Sequence, residues 1–158
     1  MGEHKVSLLS NKSQMHLFVK QLLADIRALE YMLENDWFES GITRIGAEQE
    51  MCMVDKKTYK PAPIAVEVLE KMKKDEWVET ELAKFNLETT QDPRELKAKC
   101  FSLMEEEITR KLDKIKGKVS KFDAEVVLCG ILPTLRMFHL EMDFLTPEKR
   151  YYALMEAI

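Results

Sequence analysis

The sequence predicts an α+β fold in which helices cover an antiparallel sheet. In residues 44–54 the strand repeat of two places Glu48 and Glu50 on one face and, apart from Gln49, apolar side chains on the other. Two long amphipathic patterns, at 13–36 and 92–122, carry the apolar stripe of helices that cover a sheet. A further segment, 124–132, is apolar at most positions, as in a strand that is covered on both faces.

The composition is typical of one globular domain. The chain has 158 residues, is 46% hydrophobic and 33% charged, and is long enough to bury roughly 70% of its unfolded surface. Its net charge of −4 offers no basic surface for nucleic acid, and no apolar run reaches the length of a membrane span. We therefore expect neither partner. The three cysteines lack metal or disulfide spacing, which fits reduced thiols in a cytoplasmic protein.

The first helix is predicted at residues 13–36. Its apolar stripe, with spacings of four, three and four, consists of Leu22, Ile26, Leu29 and Leu33 and is extended by Phe18 and Val19. A turn is expected at Ser40-Gly41. We expect residues 1–42 to form an N-terminal helical extension and residues 43–158 to form the main domain.

The strand at 44–54 contains the most informative motif, Glu48-Gln49-Glu50. The strand repeat places both glutamates on one face, with Cα atoms roughly 6.5–7 Å apart. Gln49 shares the opposite face with apolar residues. Two carboxylates at this separation repel unless a positive charge lies between them, and Mg²⁺ and Mn²⁺ prefer oxygen ligands. The alternative is a half-exposed strand whose outer face is acidic.

A polar turn at 55–61 precedes a short helix at 62–74, with Val66, Leu69 and Met72 on its apolar side. The second strand is predicted at 84–90. One of its faces carries Phe85, Leu87 and Thr89, and the other carries Asn86, Glu88 and Thr90.

Three carboxylates converge if this strand pairs antiparallel with the first, because Glu88 then joins Glu48 and Glu50. Glu81 has the wrong parity for that face of a straight strand. We expect it to join the others only through a bend or bulge.

The longest helix is predicted to begin at Asp92 as N-cap, with Pro93 at its first position and Glu95 completing a capping box. Its apolar stripe consists of Leu96, Cys100, Leu103, Met104, Ile108, Leu112, Ile115, Val119 and Phe122. Gly117 near the end is a candidate break.

The third strand, 124–132, is expected at the centre of the sheet and ends at Pro133-Thr134. Thr146 is predicted to cap a last helix that contains Arg150. The chain stops at Ile158 inside an apolar helical pattern. We therefore expect it to be the N-terminal piece of a longer protein.

Four motifs of this sequence resemble motifs of a known protein family. They are Gly46-Ala47-Glu48-Gln49-Glu50-Met51, the Glu81…Glu88 pair, Gly130-Ile131-Leu132-Pro133-Thr134, and Thr146-Pro147-Glu148-Lys149-Arg150-Tyr151. From about residue 43 onward, these motifs occur in the same order as in carboxylate–amine ligases of glutamate–cysteine ligase family 2. The chain therefore resembles this family, which belongs to the glutamine synthetase-like superfamily. The resemblance implies a partial glutamine synthetase-like catalytic fold for residues 43–158.

The resemblance implies an ATP-dependent ligase that phosphorylates a γ-carboxylate and lets an amine attack the acyl phosphate. Glu48, Glu50 and Glu88 look like ligands for Mg²⁺ or Mn²⁺, and Glu81 like a fourth acid for metal or for a substrate amino group. Arg150 resembles a family arginine near the active site, whose guanidinium group can form paired hydrogen bonds with a substrate carboxylate. The alternative is a solvated arginine in the first turn of the helix. Thr134 is either a substrate contact or a turn hydroxyl.

Two positions depart from the resemblance. Many relatives carry an acid where this chain has Gln49, and many carry a histidine where it has Leu132. The first change is expected to be harmless because position 49 faces the other way, whereas the second leaves a family role unfilled. Further metal ligands and most nucleotide contacts are expected beyond Ile158.

Three functional hypotheses remain open. The first is a glutamate–cysteine-type ligase of glutathione biosynthesis that uses glutamate and an amino acid or amine, with a homo-oligomer left open. The second is a non-catalytic binding or regulatory module that keeps the fold. The third is a helical interaction scaffold, although the two long helices are more simply explained as cover for the sheet.

Overall fold

The computed structural model describes residues 11–73 and 75–157 and confirms the α+β class. In chain order the elements are α1 (Lys12–Glu34), β1 (Arg44–Ile45), β2 (Glu48–Asp55), α2 (Ala65–Glu70), β3 (Val78–Thr80), β4 (Asn86–Thr90), β5 (Arg94–Glu95), α3 (Cys100–Val119), β6 (Ala124–Val127) and α4 (Lys149–Ala157). Across the described ranges, no helix combines the length and the apolar character that a membrane span requires.

The main sheet has four antiparallel strands in the order β3-β4-β2-β6, and β1 pairs with β5 in a separate two-stranded ribbon. The predicted first strand is therefore two strands, with Gly46 and Ala47 between them. Antiparallel pairing of the first and second predicted strands is confirmed, since Glu50 lies opposite Glu88 and Met51 opposite Leu87.

One face of the sheet packs against α2 and α3. Met51, Met53 and Leu87 are completely buried there, in one cluster with Ile115 and Val119 of α3. Burying a side chain of this size stabilises the fold by about 1.5–3 kcal/mol. The strand alternation therefore directs the apolar residues toward α3 and leaves Glu48, Glu50 and Glu88 on the opposite face.

The opposite face has an apolar part and an acidic part. Cys52, Val54, Phe85 and Leu132 form a second buried cluster beneath the loop that follows β6. The predicted position of Phe85 beside Leu87 is wrong, because β4 begins only at Asn86 and the preceding turn points Phe85 into this second cluster.

The predicted start of the longest helix is also wrong, because α3 begins at Cys100 and not at Asp92. Residues Arg94 and Glu95 instead pair with β1. Leu96 therefore precedes the helix, and Leu103 lies within the helix but outside its buried stripe; each is 44% exposed. The helix runs through Gly117 without a break.

The third predicted strand is shorter than expected and lies at the edge of the sheet, not at its centre. Its apolar character has a different cause. Val126 packs on the α3 side, whereas Val127 and Cys129 pack on the second cluster. Both faces are therefore used, but the strand ends at Val127, and Ile131 is exposed.

Two of the other predicted helices differ from expectation in what they bury. In α2, Ala65 and Val68 are buried, not Val66, and the predicted end at Lys74 lies outside the described residues. In α1, capped by the side chain of Asn11, no residue between Lys12 and Glu34 is buried. The expectation that α1 covers the sheet is therefore wrong.

An ion network joins α3 to the sheet. Glu107, which is only 5% exposed, accepts hydrogen bonds from Lys111 at 2.5 Å and from Arg94 at 2.6 Å. Lys111 also donates to the Thr90 carbonyl at the end of β4. Burial opposes ionisation of Glu107, but these two cations outweigh it and lower its pKa.

Replacing Lys111 with Met should lower the free energy of unfolding by about 2–4 kcal/mol, because it leaves a buried carboxylate without one of its cations. Lys114→Met is the matched control on the same helix. Its ion pair with Asp75 is exposed on the lysine side, so we expect a loss below about 1 kcal/mol. Urea denaturation measures both values. Equal losses would contradict the assigned role of Lys111.

Candidate active site

Three strands bring glutamates together on the face of the sheet away from α3. Glu50 of β2 lies directly opposite Glu88 of β4, and Glu88 lies directly opposite Glu79 of β3. Glu48 is two residues before Glu50 and therefore shares its face. Opposed residues on antiparallel strands have Cβ atoms about 4.5–5.5 Å apart, so these carboxylates lie within mutual reach.

Glu81 reaches the same face by a route that the sequence reading missed. It follows β3, which is a strand of its own, and it lies two residues beyond Glu79. Its parity therefore matches Glu79, and no bulge in β4 is required. The Glu81 carbonyl accepts a hydrogen bond from the Thr146 hydroxyl at 2.5 Å, and the Thr146 N–H donates to the Leu82 carbonyl at 2.9 Å. The Thr146 hydroxyl thus anchors Glu81, whereas it was expected to cap the last helix.

The carboxyl groups of Glu48, Glu81 and Glu88 interact directly. A hydrogen bond with Glu81, followed by burial and a hydrogen bond with Glu48, raises the pKa of Glu88 from 4.5 to about 8. The negative charges of both neighbours act in the same direction. Near neutral pH, a proton on Glu88 therefore offsets the repulsion within the cluster when no cation does so.

The donor set fits a hard divalent cation. Carboxylate and amide oxygens are the ligands that such ions prefer, and Asn86 lies on the same face as Glu88, two residues earlier in β4. The Asn86 Oδ1 atom is buried and has no hydrogen-bond partner among the described residues. Within those residues, however, no three His, Cys, Asp or Glu side chains already form a metal-binding group. The acids are gathered, but they are hydrogen-bonded to one another.

A cavity of about 260 Å³ adjoins the acidic cluster. Glu50, Glu81 and Asn86 form its polar side, and the apolar side includes Phe85 and Leu132. Its volume suits a small molecule the size of an amino acid. A second cavity, of about 300 Å³, lies on the other side of the cluster, between Glu48 and the loop of Gly46 and Ala47.

Cys52 also lines the first cavity, but it is not a candidate nucleophile. Burial, the neighbouring Cys129 and the charge of Glu50 raise the pKa of the Cys52 thiol to about 12. The thiol therefore stays protonated at neutral pH, and the thiolate is the reactive form. This agrees with the prediction that the chain has no cysteine nucleophile, and Cys52 and Cys100 are buried as expected.

Arg150 is connected through Tyr151 to the backbone next to Glu81. Its Nη2 atom donates to the Tyr151 hydroxyl at 2.5 Å, and that hydroxyl donates to the carbonyl of Thr80, the residue before Glu81. Burial raises the pKa of Tyr151, the Arg150 hydrogen bond opposes this, and the charge of Glu81 adds to it. The Arg150 Nε atom is buried without a partner in the described part of the chain. Arg150 is thus partly buried against Tyr151 and is not a fully solvated arginine.

Two other sequence candidates lie away from the cluster. The Thr134 hydroxyl donates to the Tyr59 carbonyl at 2.6 Å, so the turn-hydroxyl alternative describes it. Gln49 lies opposite Thr89 on the α3 side of the sheet, as expected.

Sequence reasoning missed Glu79, Asn86 and Tyr151 as members of the site. A signal existed for the first, because Glu79-Thr80-Glu81 repeats the Glu-x-Glu spacing of Glu48 and Glu50.

The fold and the cluster define an α+β domain with a carboxylate-lined sheet. The family model of glutamate–cysteine ligase family 2 matches residues 44–158, and the chain belongs to this family. No curated protein and no solved structure matches the chain. Membership points to a ligase in general, with small-molecule substrates, and it confirms the resemblance drawn from the motifs.

The raised pKa of Glu88 predicts a specific pH dependence when divalent cations are removed. The native protein holds this proton up to about pH 8, whereas the unfolded chain loses it near 4.5. The stabilising contribution is therefore complete below about pH 4.5 and is lost as the pH rises to about 8.

Thermal melts in a chelating buffer between these limits test the assignment. Glu88→Gln should flatten the decrease in melting temperature, because the amide has no proton to lose. Glu106→Gln, on the exposed side of α3, should keep the slope of the unmodified chain. The assignment fails if the unmodified chain and Glu88→Gln show the same slope.

Proposed function

We propose that the chain supplies one wall of the active site of an ATP-dependent carboxylate–amine ligase. The reaction joins the γ-carboxylate of glutamate to an amine through an acyl phosphate, as in a glutamate–cysteine ligase. In this proposal residues 43–158 are the N-terminal portion of the catalytic domain and residues 1–42 are an extension. The protein acts in the cytoplasm, in the biosynthesis of glutathione or a related γ-glutamyl compound.

The contact between Glu48, Glu81 and Glu88 carries the proposal. A sheet that holds several carboxylates this close stabilises them with either protons or a cation, and the cation option suits a ligase at neutral pH. We assign Glu48, Glu50, Glu81 and Glu88 as the groups that hold Mg²⁺ or Mn²⁺. When bound, the ion would neutralise the charge of the ATP phosphates during phosphoryl transfer.

The remaining residues position and orient the substrate. The rigid pairing of β2 with β4 fixes Glu50 and Glu88, and Thr146 fixes Glu81 from the opposite side. Asn86 offers an unpartnered amide oxygen to the first cavity. Arg150 is assigned to bind a substrate carboxylate, because a guanidinium forms paired hydrogen bonds with such a group and its Nε–H is unused.

A second candidate is a non-catalytic binding or regulatory module that keeps the ligase fold. One observation favours it: the described residues contain no ready-made group of three metal ligands. In addition, the buried apolar Leu132 stands where the resemblance implies a histidine. Such a module would bind a ligand beside the sheet without turning over ATP.

The test is an assay of ADP release by the full-length gene product with ATP, Mg²⁺, glutamate and a panel of amino acids and amines. We expect amine-dependent release. Glu50→Gln should lower it by about 100-fold or more, because the loss of one metal-holding carboxylate removes several kcal/mol of transition-state stabilisation.

Glu106→Gln is the matched control and should keep full activity, because it lies in the opposite layer of the fold. The ligase proposal fails if no amine elicits ADP release, or if Glu50→Gln is as active as the unmodified enzyme. Retained binding of glutamate or Mg²⁺ without turnover would support the module.

A further inference from the structure

Helix α1 presents an apolar face that nothing in the described part of the chain covers. The helix is 23 residues long and has no buried residue. Most of its large apolar side chains are between two fifths and two thirds exposed, for example 42% at Val19, 46% at Leu22 and 61% at Leu33. A contiguous apolar surface of this length marks an interaction site.

The spacing of this face is that of a coiled coil. The exposed residues alternate at intervals of four and three and consist of Met15, Val19, Leu22, Ile26, Leu29 and Leu33. The mean interval is that of a heptad seam, which faces a partner helix along its whole length. Val19 and Ile26 alternate with Leu22 and Leu29, so the seam consists of branched aliphatic side chains at its four central positions.

The charges of α1 select the partner and its direction. The first half carries Lys12 and Lys20 and no acid, whereas the second half carries Asp25, Glu30 and Glu34 against one arginine. Parallel pairing of two such helices would place like charges side by side. Antiparallel pairing places the half with Lys12 and Lys20 of one copy beside the half with Glu30 and Glu34 of the other, whereas Asp25 lies near the centre beside its own copy.

The apolar residues of the seam also match one another when two copies of the helix pair antiparallel. With the helices antiparallel and centred between Leu22 and Ile26, Leu22 meets Ile26 of the second copy. Val19 then meets Leu29, and Met15 meets Leu33. Every layer therefore joins two apolar side chains, and the same helix complements itself in both shape and charge.

We propose that α1 is a homodimerisation helix, which pairs antiparallel with α1 of a second copy of this chain. Completing the burial of the six half-exposed seam side chains on each of the two helices withdraws roughly 500–1,000 Å² of apolar surface in the pair. This is at the low end for specific interfaces, so the dimer forms in a concentration-dependent manner with a Kd on the order of micromolar.

Sedimentation equilibrium of the full chain tests the proposal. The mass should rise from one to two chains across micromolar concentrations. Leu22→Glu with Leu29→Glu should weaken the dimer at least about 100-fold, because it buries like charges in the seam. The matched control is Leu17→Glu with Tyr31→Glu, which introduces the same charges on the exposed side opposite the seam and should leave the dimer intact.

Both double variants should keep the melting temperature of the rest of the chain, because α1 buries nothing there. A monomer at all concentrations, a larger assembly, or equal effects of seam and control variants would overturn the proposal. A dimer that survives the seam variant would place the interface elsewhere and would overturn it as well.

A charge exchange tests the direction. Lys12→Glu with Lys20→Glu should weaken an antiparallel dimer about tenfold, because acid then faces acid. Adding Glu30→Lys and Glu34→Lys should restore it. In a parallel dimer each half faces its own copy, so neither change would alter the affinity in this way, and that outcome overturns the antiparallel arrangement.

Discussion

The register between β2 and β4 determines both the core and the acidic cluster. It places Met51 opposite Leu87 on the α3 side and Glu50 opposite Glu88 on the other side. A slip of one residue would exchange the two faces, moving the carboxylates into the core and the methionines into the cavities. The apolar packing against α3 therefore keeps the glutamates together, although they repel one another.

The repulsion between the gathered carboxylates lowers the stability of the fold locally, and apolar packing and ion pairs elsewhere in the fold offset this loss. Fully buried Met51, Met53 and Leu87 lie directly beneath the cluster. On the α3 side, the Arg94–Glu107–Lys111 network holds the helix to the end of β4. A protein that sacrifices stability at one place while packing well around it commonly does so for function. Without a cation, the hydrogen bond with Glu81, burial and the repulsion between the carboxylates raise the pKa of Glu88, so that Glu88 keeps its proton near neutral pH.

The site residues that lie in long strands with a clear repeat of two could be predicted from the sequence. The repeat of two placed Glu48 and Glu50 on one face and Gln49 on the other, and antiparallel pairing brought in Glu88. Strand β3 was missed because three residues are too short to show a period. Glu79 and the true route of Glu81 were missed with it.

The errors in element boundaries have a common cause. Asp92 and Pro93 are good helix-start residues, but the following Arg94 and Glu95 pair with β1, and Arg94 binds Glu107. The Thr146 hydroxyl was likewise assigned to a helix cap but is used by Glu81. In both places a contact between distant parts of the chain outweighs a local preference, and no single segment reveals such a contact.

Crystals of the chain grown with Mn²⁺ would show whether the gathered glutamates hold a divalent ion. The account predicts one anomalous-scattering peak bounded by the carboxylates of Glu48, Glu81 and Glu88, at oxygen distances of about 2.2 Å. It also predicts that the hydrogen bonds among these carboxyl groups are replaced by contacts to the ion. If the peak is absent, or lies only elsewhere while Glu88 remains hydrogen-bonded to Glu81, the acidic face is not a metal site.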